Sequence, residues 1–120
     1  MAFADFENAL NNTNEIGLTT TGRNSGRESS RPVWFVRPGE SLYLLPVTGS
    51  DSQWYKNVLK TPAIRLAAGD TEYRARAIPV TDPAKVAEVV ERFRAKYGAR
   101  DVEAYYPKHD VALEVPVRPL

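Results

Sequence analysis

The stretch Ala63-Ile64-Arg65-Leu66-Ala67-Ala68-Gly69-Asp70-Thr71-Glu72-Tyr73-Arg74-Ala75-Arg76 decides the fold class. Two runs suited to strands flank the two-residue turn Gly69-Asp70, and a turn of that length and composition closes an antiparallel hairpin. The spacing predicts strands over 63–68 and 71–80. It sets Leu66 against Tyr73 and Ile64 against Ala75 on one face. On the other face Arg65 meets Arg74, with Arg76 nearby, and like charges directly opposite on a sheet are mildly destabilising. Two readings follow: Glu72 relieves the repulsion diagonally, or an anion binds there.

C-terminal to the hairpin, residues 83–97 form the clearest helix. Asp82 suits the N-cap, Pro83 the first turn and Gly98 the left-handed C-terminal position. Val86, Val89, Val90, Phe93 and Tyr97 make one apolar stripe, whereas Glu88, Glu91, Arg92 and Lys96 fall outside it. A loop containing Tyr105-Tyr106-Pro107 follows. Val111, Leu113, Val115 and Val117 then alternate as a last strand.

On the N-terminal side, Phe3, Phe6 and Leu10 share one stripe of a short helix, which Asn11-Asn12-Thr13-Asn14 breaks. Ile16, Leu18 and Thr20 alternate as a first strand. Residues 30–36, with Val33, Trp34, Phe35 and Val36, suit a strand buried on both faces. After a Pro38-Gly39 turn, 41–47 returns as a third strand, and this register sets Phe35 opposite Leu42 and Trp34 opposite Tyr43. Residues 50–60 have helical spacing with Trp54, Val58, Tyr55 and Leu59 inward, ended by Thr61-Pro62. Six strands and two or three helices, joined mostly as hairpins, predict a small, mainly β (α+β) antiparallel barrel with helices outside.

Composition narrows the class. At 120 residues the chain fits one domain over 1–120, with 1–14 as an N-terminal helix and lead-in. The absence of cysteine excludes disulfides and thiolate chemistry, and a lone histidine, His109, gives no basis for a multi-histidine metal site or a Ser–His–Asp triad. Apolar runs such as 42–45 are far too short for a membrane span, and the acidic start with Asp5 and Glu7 is unlike a signal peptide. These features predict a cytoplasmic protein. A net charge of +1 argues against a nucleic-acid partner. Locally, however, Arg23, Arg27, Arg31 and Arg37 face only Glu28 between 22 and 37, a balance that suits a small anion.

Chemistry is concentrated in two segments. In Thr19-Thr20-Thr21-Gly22-Arg23-Asn24-Ser25-Gly26-Arg27, two glycines expose backbone amides, Ser25 adds a hydroxyl, and Arg23 and Arg27 add planar forks suited to phosphate. The spacing is not that of a P-loop. Both a phosphate site and a solvated basic hairpin fit these residues. In Trp54-Tyr55-Lys56-Asn57, one turn of helix can cover a flat ring, or Trp54 can simply be core. His109 reads as a surface histidine. Tyr105 and Tyr106 line a substrate pocket or pack against the helix stripe.

Taken in order, Thr-Thr-Thr-Gly-Arg-x-Ser-Gly at 19–26, Pro-Val-Trp-Phe at 32–35 and Trp-Tyr-x-Asn at 54–57 resemble deazaflavin-dependent nitroreductase-like proteins of the flavin-binding split β-barrel superfamily. The segment 93–98 and the final alternating strand look still more like a short uncharacterised branch of that superfamily. The resemblance implies a six-stranded split β-barrel. It implies Arg23, Ser25 and Arg27 at a coenzyme phosphate, and Pro32, Val33 and Trp34 beside the ring. Thr48, Gly49 and Ser50 would lie at the ring's edge, with Trp54 closing the site. Two positions depart from the pattern: Asn24 replaces the relatives' lysine, and Asp51 stands where a base is common.

The cofactors implied are FMN, 8-hydroxy-5-deazaflavin (coenzyme F-420) or none. The reaction implied is hydride transfer to a small electrophile such as a quinone, enone or nitro compound, with the coenzyme carrying the chemistry. The alternative is a non-catalytic barrel that has lost the cofactor or carries an anionic ligand. The partners implied are small molecules and, in a superfamily where two chains often share a site, a second copy in a homodimer.

Overall fold

A computed structural model describes residues 3–117. The elements run α1 (Phe3–Asn11), β1 (Ile16–Thr21), β2 (Glu28–Val33), β3 (Ser41–Leu44), a 3-10 turn (Gly49–Asp51), α2 (Gln53–Lys60), β4 (Ala63–Ala68), β5 (Thr71–Arg76), β6 (Ile78–Val80), α3 (Pro83–Tyr97), α4 (Ala99–Tyr105) and β7 (Ala112–Pro116). The expected six strands and two or three helices are therefore seven strands and four helices among the described residues. The strands form two antiparallel sheets, ordered β2-β1-β4-β5 and β3-β7-β6.

The hairpin has the register its sequence dictates: Leu66 pairs with Tyr73, Ile64 with Ala75 and Arg65 with Arg74. The run to Val80 does not remain in one sheet. It breaks at buried Ala77, whose amide donates to the Pro62 carbonyl at 2.9 Å, and continues as β6 beside β7. Alternation in β1 buries Ile16, Leu18 and Thr20, as a strand with one covered face requires.

The strand buried on both faces is not 30–36. Residues 28–32 of β2 are exposed at the edge of the first sheet, and burial begins only at Phe35 and Val36. Val36, not Trp34, bridges Tyr43, a two-residue shift of the expected register. Burial on both faces falls instead on the second sheet. Leu42, Leu44, Leu113 and Val115 point into a cluster shared with Leu18, Leu66, Phe6 and Val58. Tyr43, Leu45 and Ala112 point the other way, against Val86, Val89, Val90, Phe93 and Val102. One apolar layer thus lies between the sheets and a second beneath α3 and α4.

Helix α3 has the predicted bounds: the Asp82 carboxylate accepts from the Lys85 amide at 3.2 Å, Pro83 opens the first turn, and Gly98 takes φ +94°. The expected loop at 105–107 is preceded by a helix, because Val102 and Tyr106 bury one turn apart before Pro107. In α2, Trp54, Tyr55 and Val58 are buried, but Leu59, one turn on from Tyr55, is exposed. No helix among the described residues is long and apolar enough to cross a membrane.

The opposed arginines resolve through ion pairs. Arg65 contacts Glu28 at 2.9 Å and Glu72 at 3.2 Å, so carboxylates already occupy the position an anion would take. Millimolar phosphate at matched ionic strength is therefore expected to raise the melting temperatures of wild type and Arg65→Gln equally. A larger rise in wild type would restore the anion site.

Candidate functional site

A cleft of about 420 Å³ opens where the end of β2, the segment after β3, the first turn of α2 and the end of α4 converge. Pro32, Val33, Trp34, Trp54, Tyr105 and Tyr106 all line it, and these residues come from sequence positions as far apart as 32 and 106. Glu15, Arg31, Leu45 and Val47 complete the lining. Arg31 is the cation that the sequence reading left unassigned. Its signal was its place immediately before Pro32-Val33-Trp34.

Trp34 is held rigidly. Its indole stacks on the Tyr97 ring, with centroids 4.3 Å apart and planes 7° from parallel, and Tyr105 lies tilted against it at 4.7 Å. The Tyr97 hydroxyl accepts from the Phe35 amide at 3.0 Å and lies 2.7 Å from the Asn14 carbonyl. Lys96 donates to the Phe35 carbonyl at 2.8 Å. Burial pushes the Tyr97 phenol up to about 12, and burial likewise raises the Tyr106 phenol. Both phenols are neutral near pH 7 and supply no general base. Burial lowers the Lys96 ammonium below its ordinary value.

The Gly22–Arg27 loop does not join this cleft. The Gly22 amide donates to the Arg27 carbonyl at 2.8 Å, Gly26 to the Gly22 carbonyl at 2.9 Å, and Arg27 to the Ser25 hydroxyl at 3.1 Å. The Arg23 amide donates to the Asn57 side chain at 3.1 Å. Its guanidinium donates to Asn57 Oδ1 at 2.8 Å and Gln53 Oε1 at 2.7 Å, while Lys60 donates to its carbonyl at 2.7 Å. Four backbone donors and the nearer arginine are thus committed to protein acceptors. Arg27 and Ser25 are exposed.

Thr48 is exposed, and the two residues after it are occupied elsewhere. The Ser50 amide donates to Asp110 Oδ1 at 2.9 Å, and its hydroxyl to Oδ2. Gly49 is buried against Asp110 at φ +59°. Burial pushes the Asp110 carboxyl up, but the Ser50 donors and the Lys108 charge outweigh it and hold the group below its ordinary value. Lys108 pairs with Asp51 at 2.9 Å, and the hydrogen bond and charge hold the Asp51 carboxyl down as well. Among the described residues, no group of three or more acidic or histidine side chains is placed to hold a metal ion.

Two packed antiparallel sheets with helices outside them, and an aromatic cleft at one junction, make up the architecture of this chain. Solved structures agree on the fold. A conserved hypothetical protein, Rv2991 of Mycobacterium tuberculosis, superposes with a TM-score of 0.75 at 19% identity, covering 99% of this chain and 82% of that one. HutZ, a heme storage protein of Vibrio cholerae, gives 0.74 at 12% identity, covering 98% and 90%. An F420-H2-dependent reductase, FDR-A, gives 0.66 at 19% identity, covering 85% and 93%. No curated protein matches the sequence. Residues 8–113 match the family described as an uncharacterized protein conserved in bacteria (DUF2255), and the chain belongs to that family.

Proposed function

We propose that the cleft holds the ring of a flavin-type cofactor, FMN or coenzyme F-420, and that the protein serves hydride transfer between that ring and a small quinone, enone or nitro compound. The observation that carries this reading is the convergence of Pro32, Val33, Trp34, Trp54, Tyr105 and Tyr106 on one cleft of about 420 Å³. That size lies within the roughly 300–1,000 Å³ of small-molecule sites. A bound ring would supply the hydride chemistry. The chain's own contribution is orientation and exclusion of water: Trp34, braced by Tyr97, forms a fixed wall, and Leu45 and Val47 keep the cleft apolar.

Arg31 is the residue for an anionic tail, because the amides of the Gly22–Arg27 loop are already paired. A second copy of the chain against the exposed edge of β2 would form the homodimer. A cytoplasmic location belongs to the same reading. The Gly22–Arg27 loop, whose amides are already paired within the protein, favours the second reading, a non-catalytic barrel that carries or senses its ligand.

Titration with FMN and with F-420 should quench tryptophan fluorescence, since Trp34 and Trp54 both line the cleft. A charge-assisted hydrogen bond is worth roughly 1.5–3 kcal/mol, so Arg31→Ala should weaken binding about 10- to 150-fold. Arg23→Ala should weaken it far less. Absence of quenching by either compound at high micromolar concentration defeats the cofactor reading. Binding without oxidation of the reduced cofactor by any such electrophile leaves the carrier reading.

A further inference from the structure

We infer that the depression between the β2–β3 connection and the C-terminal half of α3 binds a small phosphomonoester with an apolar body. Its volume of about 330 Å³ falls within the roughly 300–1,000 Å³ of small-molecule sites. Arg37, Arg92 and Lys96 line it together with Val36, Pro38 and Ala95, and no acidic residue is among them. It shares no lining residue with the aromatic cleft, so the inference does not rest on a cofactor there.

The cations are concentrated at a cost. Arg92 and Lys96 stand four residues apart on α3, a spacing that puts them on one helix face and makes like charges unfavourable. Arg37 adds a third positive charge from the facing connection. Compensation from within the protein is incomplete. Arg37 donates to Glu7 at 2.8 Å. Arg92 meets Glu88 at 3.5 Å, and Glu88 also serves Lys85 at 3.4 Å. Lys96 has no carboxylate partner among the described residues. Its ammonium donates to the Phe35 carbonyl at 2.8 Å and lies 3.6 Å from the centroid of the Phe35 ring. These contacts fix the charge in place without neutralising it, and burial lowers the ammonium below its ordinary value.

Donors remain for a ligand. An ammonium carries three N–H groups, of which Lys96 gives one to Phe35. A guanidinium carries five, and exposed Arg92 has only the long contact to Glu88. The Nε of Arg37 is enclosed and takes no part. Planar guanidinium forks match the oxygens of a phosphate or a carboxylate, so charge decides between them. Four cations, Lys85 included, share two carboxylates here. A phosphomonoester carries roughly −1.5 to −2 at neutral pH and matches that excess. A carboxylate brings a single charge and leaves half of it. Val36, Pro38 and Ala95 offer the surface on which the carbon part of the ester lies.

The test is a titration of isotopically labelled protein at pH 8 and constant ionic strength with phenyl phosphate, benzoate and inorganic phosphate. The α3 amide signals report binding. Phenyl phosphate is expected to shift them saturably at millimolar concentration, with benzoate and inorganic phosphate at least about tenfold weaker. Arg92→Gln, at an exposed position, should weaken phenyl phosphate about tenfold or more. Arg74→Gln removes an equal charge from an exposed position on β5 and should leave the affinity unchanged. Ala95→Glu, at another exposed helical position, puts a carboxylate into the lining and should abolish saturable binding. The inference is overturned if phenyl phosphate gives no saturable shift, or if benzoate or inorganic phosphate binds as tightly. It is overturned equally if Arg92→Gln weakens binding no more than Arg74→Gln, or if Ala95→Glu binds like wild type.

Discussion

Phe93→Ala is expected to destabilise the protein by about 3–5 kcal/mol, the usual cost of removing a fully buried aromatic side chain. Phe93 has no exposed surface and packs edge-on to Tyr106 at 5.7 Å and against Tyr97 at 5.8 Å. Through Tyr97 it also supports the Trp34 wall, so the truncation should loosen the cleft as well as the layer beneath α3. Arg92, the preceding residue, is exposed outside the buried stripe and pairs with Glu88 at 3.5 Å. Arg92→Ala should cost well under about 1 kcal/mol. Urea titrations of the two variants measure the difference; coincident midpoints would mean that the buried face of α3 has been assigned wrongly.

Gly49→Ala is expected to cost about 2–4 kcal/mol, from two sources that can be separated. The residue sits at φ +59°, where a side chain is strained by about 1–2 kcal/mol. A Cβ there would also stand 2.1 Å from Asp110 Oδ1 and 2.9 Å from the Lys108 Cγ. Asp110 would have to move and surrender hydrogen bonds from Ser50, each worth roughly 1.5–3 kcal/mol for a charged acceptor. Gly26 is the control: its φ is +71°, but nothing lies within 4 Å of its added Cβ. Gly26→Ala should therefore show the backbone part alone. In an Asp110→Ala background the cost of Gly49→Ala should shrink toward that of Gly26→Ala. Equal costs at the two glycines in the wild-type background would remove Asp110 from the explanation.

Features set by local pattern were readable from the chain. The Asp82 cap, Pro83 and Gly98 bound α3, and the Gly69-Asp70 turn fixed the pairing of β4 with β5 residue by residue. Features set by distant partners were not. Residues 30–36 look like a buried strand because they are apolar toward their end, yet β2 begins at Glu28 and its exposure follows from its place at a sheet edge. The short helix α4 buries Val102 alone, with Tyr106 just past its end, too few for a periodic signal. In the site, residue types drew attention to Trp34, Trp54, Tyr105 and Tyr106, which do meet at one cleft, while Trp54 and Tyr106 are also buried in the core as the packing reading expects. The arginines were less legible. Whether Arg23 or Arg31 faces the cleft depends on Asn57 and Gln53, which lie one turn apart on α2 and hold Arg23 from below.

The passage of one strand run into two sheets at Ala77 leaves the molecule almost no slack. A single residue separates β5 from β6, so any displacement along β5 is delivered to β6 with little room to absorb it. Strand pairing is discrete: a slip of one residue turns every side chain to the opposite face. Slippage in the first sheet would then have to break the pairing of Ile78 and Val80 with β7 in the second. The hairpin's turn at Gly69 and Asp70 therefore acts as a register pin for both sheets.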